Sequence, residues 1–201
     1  MSTALIDLDA NVEQYFEVIV RQAIEARRVE VSDPAGQYLA LLLSSYARGE
    51  LGPEPFDEPL TFLLRDALES AGMVRFQRLR TIRDNVLYAL GFFHRALTRR
   101  GADGGYVMRI GASAYEHAST MMRLGGADGG GYDVLGELSD HFDRFVEILT
   151  EVADGAMARG GHDDESVLRL YERWRRTGSI RLAQALGNLG ISPLSDEGGV
   201  H

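Results

Sequence analysis

The sequence predicts an all-α protein, a single antiparallel bundle of about seven to eight helices. Apolar residues recur every three or four positions along nearly the whole chain, which is the period of one helix face. Strand patterns are almost absent, because the one β-like run, residues 29–31, is too short to anchor a sheet. Links that contain glycine and proline separate the apolar stripes, and short links of this kind favour antiparallel neighbours.

Three helices are predicted before residue 73. The first carries an apolar stripe at Val12, Phe16, Ile19 and Ala23. The second is expected to begin at Asp33 as its N-cap, with Pro34 in its first turn, and to stop at Gly49. The third begins near Asp57 and is closed by Gly72, because glycine is the common residue just beyond a helix end.

The longest helix is predicted over residues 74–100, with an inward stripe at Phe76, Leu79, Ile82, Val86, Leu90, Phe93 and Leu97. Further helices are predicted over residues 106–124 and 132–158. Two shorter helices follow, one near residues 164–177 and one capped by Ser179. Residues 1–191 are therefore expected to form a single all-helical domain, and residues 192–201 a disordered tail.

Composition excludes several chemistries. The 201 residues carry a formal net charge of −9, contain no cysteine, and all 21 basic residues are arginine. The chain therefore offers no lysine for a Schiff base or a phosphate loop, and no thiolate as nucleophile or metal ligand. It shows neither a signal-peptide pattern nor an apolar run long enough to span a membrane, so a cytoplasmic protein with no membrane partner is expected.

The stretch "VLYALGFFHRAL", residues 86–97, places a glycine inside the longest helix. Gly91 costs a helix interior roughly 1 kcal/mol relative to alanine, so a compensating contact is expected there. One hypothesis is a flat cofactor such as haem against Gly91, with His94 as axial ligand. The favoured interpretation is close contact with another helix, and no cofactor is predicted.

A metal site would have to join histidines from different helices. His94, His117 and His141 are the candidates, but no histidine has a glutamate three residues before it, and no His-Glu-x-x-His motif occurs. The stretch "GASAY" at residues 111–115 lacks the strand and the second glycine of a nucleophile elbow. Neither a metal site nor a catalytic residue is predicted.

Charge is unevenly distributed. Residues 75–100 hold seven arginines and one acid, Asp84, whereas residues 133–165 hold ten acids and two arginines. A third segment, residues 166–181, carries five arginines around the single tryptophan. Tryptophan and arginine are enriched in interface hot spots, so a candidate interface is Trp174 with Arg173, Arg175 and Arg176. The alternative is that Trp174 belongs to the core.

Three segments, "YLALLLSSYA", "LRTIRDNVLYALGFFHRAL" and "YERWRRTGSIRLAQALGNLG", resemble a set of uncharacterised all-helical bacterial proteins, most specifically in the pattern LY..GFF...L.RR. The resemblance implies a shared fold and a packing role for Gly91, Phe92 and Phe93, and it supplies no activity.

The leading hypothesis is a non-enzymatic module for protein–protein interaction or regulation, whose partner is another protein or a second copy of the chain. The alternatives are a haem or metal enzyme using His94 with His117 or His141, and a nucleic-acid binder using the arginine-rich helices. The net charge disfavours the last of these.

Overall fold

A computed structural model describes residues 3–51, 58–99, 103–125, 133–158, 164–189 and 191, with side chains except at 3–11, 94–99, 164–166 and 176. These residues form helices and no strand, which confirms the all-α bundle. The helices are α1 (Thr3–Arg27), α2 (Asp33–Ala47), α3 (Leu60–Glu69), α4 (Gly72–Arg99), α5 (Gly104–Leu124), α6 (Val134–Asp140), α7 (Phe142–Ala158), α8 (Asp164–Thr177) and α9 (Ile180–Asn188). None of these helices is long and apolar enough to cross a membrane.

The chain divides into two compact units, residues 1–149 and 150–201. In the first unit α1 packs on α2, α3 on α4, α4 on α5, and α5 on α6, while α2 also contacts α6. In the second unit α8 packs on α9 around Leu170, Leu182 and Leu186. The expectation of one domain over residues 1–191 stays a prediction, and the predicted tail at 192–201 lies outside the described residues.

The described helices number nine because the element predicted over residues 132–158 is two helices. The backbone leaves helical geometry at His141 (φ −124°, ψ 35°), which ends α6. The carbonyl of His141 then accepts the amide protons of Arg144 (3.0 Å) and Phe145 (3.3 Å), so the same residue begins α7. Neither glycine nor proline marks this break, and the periodicity therefore does not reveal it.

Helix caps account for two further boundary differences. Ser32, and not Asp33, caps α2, since its hydroxyl accepts the amide proton of Ala35 at 3.2 Å. Gly72 begins α4 with a positive φ of 54°, a conformation that glycine adopts without strain, and α3 already ends at Glu69. The predicted cap of α9 is confirmed, because the Ser179 hydroxyl accepts the amide proton of Leu182 at 3.4 Å.

Helix α4 bends at Phe93, where φ is −121° and ψ is 26°. The inward stripe holds for Leu79, Ile82, Val86 and Leu90, which are all buried. Phe93 was expected to continue that stripe, but it is 46% exposed. Helical periodicity predicts which residues face inward only while the helix is continuous. The inward direction of Leu90 therefore does not continue past the bend.

The close helix contact expected at Gly91 is confirmed, and its partner is α7. A Cβ atom placed on Gly91 would collide with Cβ of Leu149 and would lie 3.3 Å from its carbonyl carbon. The obstacle is the first side-chain atom and the backbone of a buried residue, neither of which can rotate away. Gly91 therefore lets two backbones approach, which offsets its cost in helix propensity.

We expect Gly91→Ala to destabilise the protein. Overpacking costs about 1–3 kcal/mol. The gain in helix propensity offsets roughly 1 kcal/mol of that cost. The contact with Leu149 leaves no space for the added methyl group, which opposes the gain in propensity. Gly91→Leu should cost more still. The control is Gly187→Ala, because a Cβ at Gly187 meets nothing within 4 Å. Urea denaturation measures all three variants, and a Gly91→Leu protein as stable as the parent would contradict the contact.

Candidate functional site

The first unit contains a buried polar network centred on Asp84 of α4. Its Oδ1 atom accepts hydrogen bonds from the hydroxyls of Tyr38 on α2 (2.5 Å) and Tyr115 on α5 (3.1 Å). The guanidinium of Arg83 lies 3.3 Å from the same oxygen. Asp84 is only 2% exposed, so three donors compensate a charge that is almost fully removed from bulk water. The network joins α2, α4 and α5.

Aromatic rings enclose the buried cation of this network. The guanidinium carbon of Arg83 lies 5.3 Å from the ring centre of Phe76 and 5.2 Å from that of Tyr115. Burial, with the nearby charge of Asp84, raises the pKa of Tyr38 well above its ordinary value. Burial also raises the pKa of Tyr115, with further contributions from Tyr38 and Asp84. Both phenols therefore hold their protons and act as hydrogen-bond donors.

The first unit also contains two adjoining cavities, of about 420 and 750 Å³, that share Val31 and Ser32 as lining residues. We call them together the α1–α6 groove. The smaller cavity lies between α1 and α2, and the larger is lined mainly by α5, α6 and the start of α7. Their charged lining comprises seven carboxylates and three arginines: Glu17, Glu30, Asp33, Glu116, Asp133, Glu137, Asp140, Arg21, Arg123 and Arg144.

Two carboxylates of the groove hold its walls together. Glu137 of α6 accepts from the backbone amide (2.8 Å) and the hydroxyl (2.5 Å) of Ser32, which fixes the start of α2. Asp133 caps α6 through the amide of Gly136 (2.8 Å) and accepts from the hydroxyl of Ser119 on α5 (2.6 Å). Burial opposes the charged form of Asp133, but these bonds and Arg123 outweigh it and lower its pKa.

The serine hydroxyls of the groove are committed to structural acceptors. The hydroxyls of Ser32 and Ser119 donate to Glu137 and Asp133, and that of Ser139 donates to the carbonyl of Ala112 at 2.9 Å. His141 lines the same cavity, yet none of these three hydroxyls donates to it. An activated nucleophile needs a base within hydrogen-bond reach, so these serines are typical of helix ties and caps.

Three carboxylates of the larger cavity differ from Glu137 and Asp133 in having no described hydrogen-bond partner. Glu30, Glu116 and Asp140 are exposed and line the cavity. Among the residues that the structure describes, none forms a hydrogen bond or ion pair with them. The lining of the larger cavity holds five carboxylates and two arginines, Arg123 and Arg144, so its net charge is negative and favours a ligand with cationic groups.

The second unit has its own buried polar cluster, formed by α7, α8 and α9. Arg173 of α8 donates a short hydrogen bond from Nε to Asp154 of α7, and the two residues are 8% and 0% exposed. Glu151, one turn earlier, accepts from the Ser179 hydroxyl (3.3 Å) and lies 3.3 Å from Nε of Arg181. Charged side chains from three helices are thus paired inside a small unit.

The candidate metal and cofactor residues of the sequence analysis are described only in part. Gly91 faces Leu149, which fills the space that a flat cofactor would occupy at that face. The side chain of His94 lies outside the described residues. His117 of α5 and His141 at the α6–α7 break are half-buried. Over the part of the chain that is described, no group of three or more histidine, aspartate or glutamate residues is arranged to hold a metal ion.

The predicted interface residues differ in accessibility. Trp174 is half-buried against the cluster of Leu170, Leu182 and Leu186, and its ring centre lies 5.7 Å from that of Tyr171. Arg173 is held inside the unit by Asp154, and Arg175 is exposed. The side chain of Arg176 lies outside the described residues. An interface role for these residues stays a prediction.

Sequence reasoning missed both the Asp84 network and the groove. The available signal was the polar run Arg83–Asp84–Asn85 between Ile82 and Val86, all five of which are buried. Polar side chains in a buried stretch of helix need hydrogen-bond partners, and the tyrosines on α2 and α5 supply two of them to Asp84. The groove joins residues more than a hundred positions apart in the chain, and no local spacing indicates it.

We expect stability to fall as the pH rises above about 10, the ordinary tyrosine pKa. There the unfolded chain loses tyrosine protons that Tyr38 and Tyr115 keep in the folded state, so unfolding releases protons and becomes easier. Tyr38→Phe should reduce this slope by up to about 1.4 kcal/mol per pH unit. At neutral pH it should cost about 1–3 kcal/mol, because Asp84 loses a donor.

Denaturant titrations at several alkaline pH values measure the slope. The chain has no lysine or cysteine, so tyrosines dominate its titration in this range and tyrosinate absorbance follows it directly. Equal slopes for the parent and for Tyr38→Phe would contradict the raised pKa.

We expect Arg173→Ala to destabilise the second unit by about 3–5 kcal/mol, because it leaves the buried Asp154 without its partner. Arg175→Ala is the matched control and should stay within about 0.5 kcal/mol of the parent, as an exposed residue does. Fluorescence of Trp174, the single tryptophan, reports unfolding of this unit during chemical denaturation. Equal stability of the two variants would show that the Arg173–Asp154 pair contributes little.

Comparisons with protein-family models, with curated proteins and with solved structures find no match to this chain. The resemblance to all-helical bacterial proteins therefore stays a prediction from the segments that carry it. The conclusions about the site rest on its geometry and chemistry.

Proposed function

We propose that this protein is a non-enzymatic helical module that binds a partner protein, and that the α1–α6 groove receives a basic segment of that partner. The observation that carries the proposal is the set of Glu30, Glu116 and Asp140 in the larger cavity, which are exposed and form no hydrogen bond or ion pair with the described residues. Carboxylates in this state attract arginine and lysine side chains, which steers association and selects against acidic partners.

The shape of the groove supports a peptide segment as its occupant. Two cavities that adjoin at Val31 and Ser32 give an elongated site, and together they exceed what a single cationic side chain needs. The walls are fixed, since Glu137 and Asp133 tie α6 to the start of α2 and to α5. A preformed site loses less conformational entropy on binding than a flexible one.

The other hypotheses from the sequence gain no specific support from the described residues. A haem or metal enzyme using His94 with His117 or His141 and a nucleic-acid binder both stay predictions. So do the cytoplasmic location, the bacterial origin and self-association.

The test uses a fluorescent arginine-rich peptide as the probe, titrated into the full chain at low ionic strength. We expect saturable binding that weakens with added salt, because exposed charges are screened. Glu116→Gln combined with Asp140→Asn should weaken binding by about three- to tenfold, in line with the value of partly exposed ion pairs.

The matched control is Asp143→Asn combined with Glu147→Gln. Both residues are exposed on α7, outside the groove lining, and the pair removes the same total charge. Its affinity should stay within about twofold of the parent. Absence of peptide binding at low salt, or equal weakening by both pairs, would overturn the proposal, since the second result means that the peptide senses only net charge.

A further inference from the structure

A third cavity of about 380 Å³ lies apart from the groove, between the end of α2 and the first half of α4. Two buried polar side chains, Asp84 and Asn85, form part of its lining, at 2% and 7% exposure. Its remaining polar lining comes from Ser45, Glu50, Gln77, Arg80 and Thr81. A cavity that reaches a buried carboxylate is a natural place for a cationic ligand.

The two oxygens of Asp84 have different surroundings. Oδ1 receives both tyrosine hydroxyls and lies beside Arg83, as described above. Oδ2 faces Nε of Arg80 at 3.5 Å, which is longer than an ordinary N–H···O hydrogen bond. The Arg80 side chain is 57% exposed. Among the described residues, the polar contact to this outer oxygen is therefore a long one from a solvated side chain.

The other polar groups of the cavity lining add acceptors and donors. The Thr81 hydroxyl donates to the carbonyl of Gln77 at 3.2 Å, so its oxygen has acceptor capacity left. The side-chain carbonyl of Asn85 accepts a hydrogen bond from the Tyr46 hydroxyl at 2.5 Å. The side-chain N–H groups of Asn85 are left as donors. Glu50 provides a second carboxylate in the lining, and Nε of Arg48 donates to it at 2.8 Å.

We propose that this cavity binds a small aliphatic amine or guanidinium compound, whose cationic head replaces Arg80 on Oδ2 of Asp84. The head donates charge-assisted hydrogen bonds to Asp84 and a further one to the Thr81 hydroxyl. Arg80 already places a guanidinium group at this position. Its side chain moves into solvent when the ligand enters. The site is separate from the α1–α6 groove and does not depend on the function proposed for it.

Calorimetric titration of the full chain with putrescine and with methylguanidinium tests the proposal. We expect saturable binding of at least one of these cations, and none of the uncharged diol with the chain length of putrescine. Arg80→Ala should bind the cation up to about fivefold more tightly, because the variant lacks the exposed side chain that competes for Asp84. An exposed contact of this kind contributes roughly 1 kcal/mol. Thr81→Trp should weaken binding by about tenfold or more by filling the cavity.

Two controls separate this site from the overall charge. Arg78→Ala removes an exposed arginine of α4 outside the cavity lining and should leave the affinity within about twofold of the parent. Glu116→Gln with Asp140→Asn alters only the groove and should also leave it unchanged. The proposal is overturned if neither cation binds, if the diol binds equally, if Arg80→Ala binds more weakly, or if the groove variant loses binding.

Discussion

The first unit depends on compensation of the buried charge of Asp84. An ionised carboxylate that has been removed from water is costly unless donors replace the water, and here α2 and α5 each supply a tyrosine hydroxyl while α4 supplies Arg83. The two bonds from the tyrosines also fix distances between helices. A shift of Tyr38 or Tyr115 along its helix would remove one of the three donors from the buried carboxylate, so the network opposes sliding of these helices.

The same principle recurs at two other places where described helices meet. In the second unit Asp154 and Glu151 hold α8 and α9 through Arg173 and Ser179. At the groove, Glu137 ties α6 to the start of α2, and Asp133, the cap of α6, ties it to α5. Carboxylates with such partners hold the fold together. The exposed carboxylates of the groove lack them, so the charge available for recognition is distinct from the charge that holds the helices in place.

The sequence predicts the helices well because their boundaries are local. Periodicity, the Ser179 cap and the glycine links each depend on a few neighbouring residues. Gly91 was informative because glycine lowers helix stability, which indicates a compensating tertiary contact. Helix α7 supplies that contact through Leu149. The break at His141 and the bend at Phe93 follow from packing between distant segments and carry no marker residue. The groove and the Asp84 network likewise need the relative position of helices, which a single sequence does not contain.

The charge balance around Asp84 explains how one residue can serve both the core and a ligand. Arg83 is buried beside the carboxylate, so the pair is close to neutral before Arg80 is considered. The exposed Arg80 contributes little to stability through a 3.5 Å contact, and its departure therefore costs the fold little. An entering cation meets an oxygen whose position is already fixed by bonds to the other side of the carboxylate. The rigidity that the core requires of Asp84 is thus the preorganisation that a binding site requires.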